Sequence, residues 1–169
     1  MTTMERIVVG GDRTPASTAA LKWAVDEAAH TGACLVVVHA FDVTGRADLA
    51  LERDLDRARR DARYRTQSWV IEVLSGLSTQ VPVLVSTPDG SVAQALSAAG
   101  QRAQLVVIGQ PTNGRDRGLR DALARACSCP VVTVEPDRVA TGDSGDAPDK
   151  QKTPGLGSSL EVVDLEHTW

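Results

Sequence analysis

The sequence predicts a doubly wound α/β domain, a parallel sheet with helices on both faces. Three observations carry that expectation. Short apolar runs recur at Arg6–Val9, Cys34–Ala40, Val81–Thr87, Leu105–Ile108 and Val131–Val134, and such unbroken runs mark strands buried on both faces. Segments with apolar residues at helical spacing alternate with them. The first strand, helix and second strand fit within about 35 residues, which implies parallel strands joined by a right-handed crossover.

The first strand, Glu5–Gly11, is β-branched through Ile7-Val8-Val9, and Gly10-Gly11 lets the backbone turn sharply. Asp12 lies just past its carboxyl end. Thr14 is a good N-cap and Pro15 suits the first helical position. Leu21, Ala24, Val25 and Ala28 then recur at helical spacing through Ala29, and Gly32 stops the helix. Cys34–Ala40 is the second strand. A long helix is expected over Asp48–Leu77, with Leu51, Leu55, Ala58, Ala62, Trp69 and Val73 on one face. Arginines and aspartates fill the opposite face between residues 52 and 65, the pattern of a solvated surface with i,i+4 pairs. Such a helix is roughly 45 Å long, so its first turns must fray or project beyond a domain of this size.

Val81–Thr87 is the third strand, and Pro82 near its start suits a sheet edge. Pro88-Asp89-Gly90 is a turn signal, and Ser91 caps a short helix running to about Ala99. Leu105–Val134 then reads as strand, glycine-rich loop, short helix over Leu119–Cys127, and strand. A loop at the carboxyl end of a parallel strand, leading into a helix N-terminus, is where open α/β sheets bind anions.

Composition limits the functions available. The 169 residues carry a net charge of −4, but eight acidic and three basic residues lie from Glu135 onward. The body is therefore near neutral and offers no footprint for nonspecific nucleic-acid binding. No apolar run approaches the ~20 residues of a membrane span. The N-terminus enters a strand without a secretory pattern, and three cysteines, an odd number, suit a reducing compartment. The expectation is a cytoplasmic protein without nucleic-acid or membrane partners. Residues 1–136 form the domain, and 137–169 are a flexible acidic tail by composition. Leu160–Leu165 regains apolar character; a mobile terminus is expected there, with strand pairing or docking as the alternative.

Several residues are candidates for chemistry. His39, at the end of a buried strand near Asp12, is either a packed structural histidine or one half of a base pair of side chains. Cys127-Ser128-Cys129 has no second ligand pair, so buried hydrophobic cysteines are expected over a zinc or redox site. Walker A, GxGxxG and GxSxG motifs are absent from the sequence. No catalytic or metal-ligating set emerges.

The blocks RIVVGGDRTPASTAALKWAVDEA, the His39-Ala40 pair, PDGSVAQAL, QLVVIG and CPVVTV together resemble the universal stress protein family, over Arg6–Val134. The resemblance implies a Rossmann-like five-stranded sheet of order 3-2-1-4-5. It implies a role in stress physiology and a homodimer, often through the last strand. In that order the edge strand at residues 130–134 needs a cover, from a second copy or from Leu160–Leu165.

Some family members bind ATP through a Gly-x2-Gly-x9-Gly-Ser/Thr loop whose backbone N–H groups cradle phosphate. Gly109 matches the first glycine of that pattern. Thr112 stands at the second, Arg117-Gly118 falls at the final pair, and the interval is about five residues short. Pro111 removes an N–H donor. A left-handed Thr112 would cost about 1–2 kcal/mol. Arg115 and Arg117 retain charge, and Gly114 and Gly118 retain flexibility. The ATP loop is thus degenerate. The adenine side is better kept: Asp12 matches the acidic residue near the base or ribose, and Ala40 and Phe41 lie where a backbone group meets adenine. Asp12 is equally suited to accepting backbone N–H bonds. The resulting ligand set is Gly10, Gly11, Asp12 and Ala40 on one side, with Gly109, Gly114, Arg117 and Gly118 on the other.

ATP or another adenine nucleotide is the cofactor class this implies. The expected function is a non-enzymatic stress-response module, sensing a nucleotide-like ligand or acting as a dimeric scaffold. ATP pyrophosphatase-type enzymes, of related architecture, carry Ser-Gly-Gly-x-Asp-Ser after the first strand. Val9-Gly10-Gly11-Asp12-Arg13-Thr14 lacks the leading serine, which disfavours that alternative.

Overall fold

The computed structural model describes residues 5–42, 52–78, 80–110, 117–136 and 162–164. The elements are β1 (Arg6–Gly10), α1 (Pro15–Thr31), β2 (Cys34–Val38), α2 (Glu52–Ser75), β3 (Val83–Ser86), α3 (Val92–Gly100), β4 (Leu105–Gly109), α4 (Arg117–Ala126), β5 (Val131–Val134) and β6 (Val162–Asp164). All strand pairings are parallel, in the order β5-β4-β1-β2-β3-β6. The first five strands have the 3-2-1-4-5 order of a Rossmann-like sheet.

Strand alternation splits the core into two layers. Ile7 and Val9 of β1, with Leu35 and Val37 of β2, pack under α1 and α2. Val8, Val36 and Val38 face the other way, against Leu96 of α3 and Leu123 of α4. Both faces of the central strands are dry, which is why these runs do not alternate with polar residues. Each fully buried Leu or Ile contributes about 1.5–3 kcal/mol of transfer free energy.

The helix ends follow local chemistry. The Thr14 hydroxyl accepts from the Ser17 amide at 3.2 Å, and Pro15 opens α1. Gly32 closes that helix at φ 71°, its N–H returned to the Ala28 carbonyl. The left-handed turn there is easy only for a residue without Cβ. Ser91 caps α3 through the Gln94 amide.

The buried residues of α2 are Thr66, Val70 and Leu74, all in its second half. Trp69 marks the carboxyl end of the sheet by packing over Gly11. The turns from Glu52 to Arg65 therefore reach past the sheet, as the length of the periodic stretch predicts. The expected start of this helix at Asp48 lies outside the described residues.

β6 pairs with β3, Val83 opposite Val162 and Val85 opposite Asp164. The cover in cis considered for β5 from Leu160–Leu165 is thus found on the opposite edge of the sheet. A parallel strand cannot reach β3 by a tight turn, so this pairing leaves no local signal.

Candidate functional site

The order of the sheet reverses at β1 and β4. From β1 the chain proceeds through α1 on one face, and from β4 through α4 on the other. Between the carboxyl ends of these strands the connections diverge and open a crevice, the usual ligand position in open α/β sheets. A cleft of about 440 Å³ lies there. Its lining brings together Gly10, Gly11, Asp12, Ala40 and Gly109 of the expected set. Val92 and Leu96 from α3 and Leu119 from α4 give it an apolar wall.

The β1–α1 turn is built around Asp12. Its Oδ1 accepts from the Thr14 amide at 3.0 Å and from the Thr14 hydroxyl at 2.6 Å. Partial burial opposes ionisation, but these hydrogen bonds outweigh it and hold the carboxyl below its ordinary value. Asp12 is therefore an anion at neutral pH, and it remains exposed at the cleft. Asp12 thus organises its own turn while lining the cleft. Arg13 has φ 65°, a left-handed conformation that L side chains adopt at a cost.

The end of β2 supplies a second polar element. The His39 amide donates to the Ser86 carbonyl at 2.9 Å, and the Phe41 amide donates to the Pro88 carbonyl at 2.8 Å. The Phe41 carbonyl accepts from the Gly90 amide at 3.2 Å. Residues 39 and 41 thus turn their backbone groups toward the β3 side. Strand alternation turns the N–H and C=O of Ala40 the opposite way. On that side β1 has already ended, its last tie to β2 being the Gly11 amide on the Val38 carbonyl at 2.9 Å. Ala40 itself lines the cleft, on the side to which alternation directs its N–H and C=O.

On the phosphate side Gly109 lines the cleft and also has a packing reason, whereas Gly118 is not part of the cleft lining. A Cβ on Gly109 would lie 2.4 Å from the Ala16 carbonyl carbon and 2.6 Å from its oxygen. Glycine is required there because the first turn of α1 rests on the end of β4. Gly118 lies inside the first turn of α4 rather than in the loop, with open space around it. Arg117 opens α4. Pro111, Thr112, Asn113, Gly114 and Arg115 lie outside the described residues. Gly11 also has a packing reason, since a Cβ would meet the Trp69 ring at 2.8 Å.

The other candidates have partners within the fold. His39 Nδ1 lies 2.7 Å from the Gly11 carbonyl. A carbonyl only accepts, so the proton sits on Nδ1 and the ring ties β2 to the β1 turn. Cys127 and Cys129 both pack at Gly100, the Cys129 thiol 3.5 Å from its carbonyl oxygen. Burial, then the neighbouring Cys127, pushes the Cys129 thiol up. That disfavours the thiolate needed for redox or zinc chemistry. Among the described residues no group of three His, Cys, Asp or Glu side chains gathers to hold a metal, and no helix is long and apolar enough to cross a membrane.

A parallel α/β sheet with an open crevice at its switch point, walled by apolar side chains and edged by the Asp12 carboxylate and the Ala40 backbone, has the architecture of the Rossmann-like class. The model of the universal stress protein family matches residues 3–135. The chain belongs to the universal stress protein family. Solved structures with the same fold include a universal stress protein family member from Burkholderia pseudomallei, 22% identical, covering 79% of this chain and 98% of that one, with a TM-score of 0.58. A universal stress protein in complex with cAMP is 20% identical over 80% of this chain and all of that one, with a TM-score of 0.52. The universal stress protein from Archaeoglobus fulgidus in complex with dAMP is 18% identical over 79% of this chain and 99% of that one, with a TM-score of 0.56.

Proposed function

We propose that this chain is a non-enzymatic, cytoplasmic stress-response module that senses an adenine nucleotide in the cleft between β1 and β4. The observation that carries the reading is that Ala40 and Asp12 line one cleft while the backbone groups of His39 and Phe41 on either side of Ala40 are bonded toward β3. The Ala40 N–H matches the N1 acceptor of adenine and its C=O matches the 6-amino donor. Guanine presents N1–H and O6 at the same edge, a donor against a donor. The Asp12 carboxylate is suited to accept from ribose hydroxyls. Val92, Leu96 and Leu119 offer the apolar surface a purine ring covers.

The ligand class favoured is a nucleotide with one phosphate, free or cyclic. The cAMP and dAMP complexes of two structural neighbours support this reading. So does Gly109, which packs against Ala16 and is thereby engaged by the fold. ATP held through a glycine-rich phosphate loop is the less favoured form.

Thermal shift and calorimetry test the reading. AMP or cAMP at 100 times its dissociation constant stabilises the fold by about 2.7 kcal/mol, several degrees in melting temperature. GMP gives none of this, and Asp12→Ala abolishes it. The absence of any shift with AMP, cAMP, dAMP or ATP overturns nucleotide sensing.

A scaffold is the second reading. β5 pairs only with β4 among the described residues, its four residues half-exposed. An open edge of Val-Val-Thr-Val is suited to a homodimer through residues 130–134. Val132→Lys then converts dimer to monomer in sedimentation, while Asp12→Ala leaves the dimer intact.

A further inference from the structure

The Ala40 peptide group lies beyond the last residue of β2, where a strand end ordinarily frays. Its position depends on the segment Ser86–Gly90, which holds His39 and Phe41 from the β3 side. Phe41 and Asp89 form an isolated parallel bridge. Asp89 is held in turn from outside the sheet. The Arg59 Nε donates to Asp89 Oδ1 at 3.1 Å, and Nη2 of the same guanidinium donates to Oδ2. This is a two-point fork on a carboxylate, the geometry that best fixes orientation. Arg59 is itself steadied by Asp56, one turn earlier on α2, at 3.3 Å. The hydrogen bond to Asp89 pushes the always-charged guanidinium further above its ordinary value.

We infer that Arg59 is a positioning residue: through Asp89 it braces the end of β2 and so sets the Ala40 edge that receives the ligand. The inference rests on the adenine reading above. Arg59 belongs to the part of α2 that contributes no buried side chain. Its fork reaches Asp89 across 30 residues of sequence. From Asp89 the path to the site is short on both sides. Through Phe41 it reaches Ala40, and through Gly90 and the Ser91 cap it reaches Val92 on the apolar wall. The brace therefore acts on two borders of the cleft while touching neither ligand nor core.

Because both partners are solvent-exposed, the brace contributes little to global stability. Its effect is local and falls on affinity. The test uses the full chain and four proteins: wild type, Arg59→Ala, Asp89→Ala and the exchanged pair Arg59→Asp with Asp89→Arg. AMP affinity is measured by calorimetry at low and at high salt. Amide hydrogen exchange at Phe41 and Gly90 is followed in the free proteins.

The expected result is a loss of AMP affinity of about threefold to fivefold in each single variant, the size of one surface ion pair. Melting temperature stays unchanged, exchange at Phe41 and Gly90 accelerates, and the exchanged pair recovers most of the affinity. High salt reproduces part of the loss in wild type only. Unchanged AMP affinity in Arg59→Ala overturns the inference. If wild type binds no adenine nucleotide, the adenine reading fails, and the exchange rates decide the brace alone. Unchanged rates then remove it, and accelerated rates retain it.

Discussion

Adding one methyl group at Gly109 separates a packing role from a phosphate-binding one. The Cβ of Gly109→Ala would stand 2.4 Å from the Ala16 carbonyl carbon, 2.6 Å from its oxygen and 2.7 Å from the Ser17 nitrogen. All three are backbone atoms in the first turn of a capped helix, so no rotamer change relieves the overlap. Ordinary contact requires the start of α1 to retreat by about 1 Å, and overpacking of this kind costs up to about 3 kcal/mol. For a domain of this size that is a fall of about 10 °C in melting temperature. Gly118→Ala is the control. Gly118 sits in the first turn of α4 with nothing near its Cβ position. Replacing a helical glycine there gains about 0.5 kcal/mol. Circular dichroism melts of the two variants, without ligand, make the comparison. A Gly109→Ala protein that melts with wild type, or a Gly118→Ala protein that melts well below it, refutes the packing argument.

Two further outcomes follow from the β1–α1 turn. Arg13→Gly relieves a left-handed backbone at φ 65° and, after the entropy cost of glycine, gains about 0.5–1 kcal/mol in urea unfolding. Asp12 has a folded pKa below its ordinary 3.8, so its charge stabilises the fold fully above that value and less as pH falls through the lower folded one. The stability gap between wild type and Asp12→Asn is therefore flat near neutrality and closes on acidification below about pH 4. A gap that widens instead in acid reverses the sign and rejects the assignment.

Much of the architecture could be read from local pattern. The dry central strands announce themselves as unbroken apolar runs, and Thr14, Pro15, Gly32 and Ser91 mark helix ends by chemistry that acts over a few residues. Boundaries shifted by two residues where pairing decides: β3 begins at Val83 rather than Val81, after Pro82, which has no N–H for a ladder. At the site, Asp12 and Ala40 were legible because strand ends position them. Gly109 was legible as a required glycine but not for its reason, which is the approach of a helix 93 residues earlier in the chain. Trp69 over Gly11 and Arg59 on Asp89 left no trace in pattern, since each joins residues that only the finished fold brings together. The apolar Leu160–Leu165 hinted at a strand, but its partner β3 was illegible for the same cause.

That sixth strand bears on how copies of this chain can associate. A sheet with two bare edges is divalent: neighbours can add at either end, and the ribbon has no natural length. Val162–Asp164 occupies the margin beside β3. What remains there is three residues long, against four on β5. The longer margin, β5, is suited to self-complementary pairing about a two-fold axis, and such pairing consumes it in both copies. In the proposed dimer, association through β5 then stops at two. A three-residue margin offers fewer ladder hydrogen bonds than the four-residue β5, so β5 is the edge on which the proposed dimer would pair.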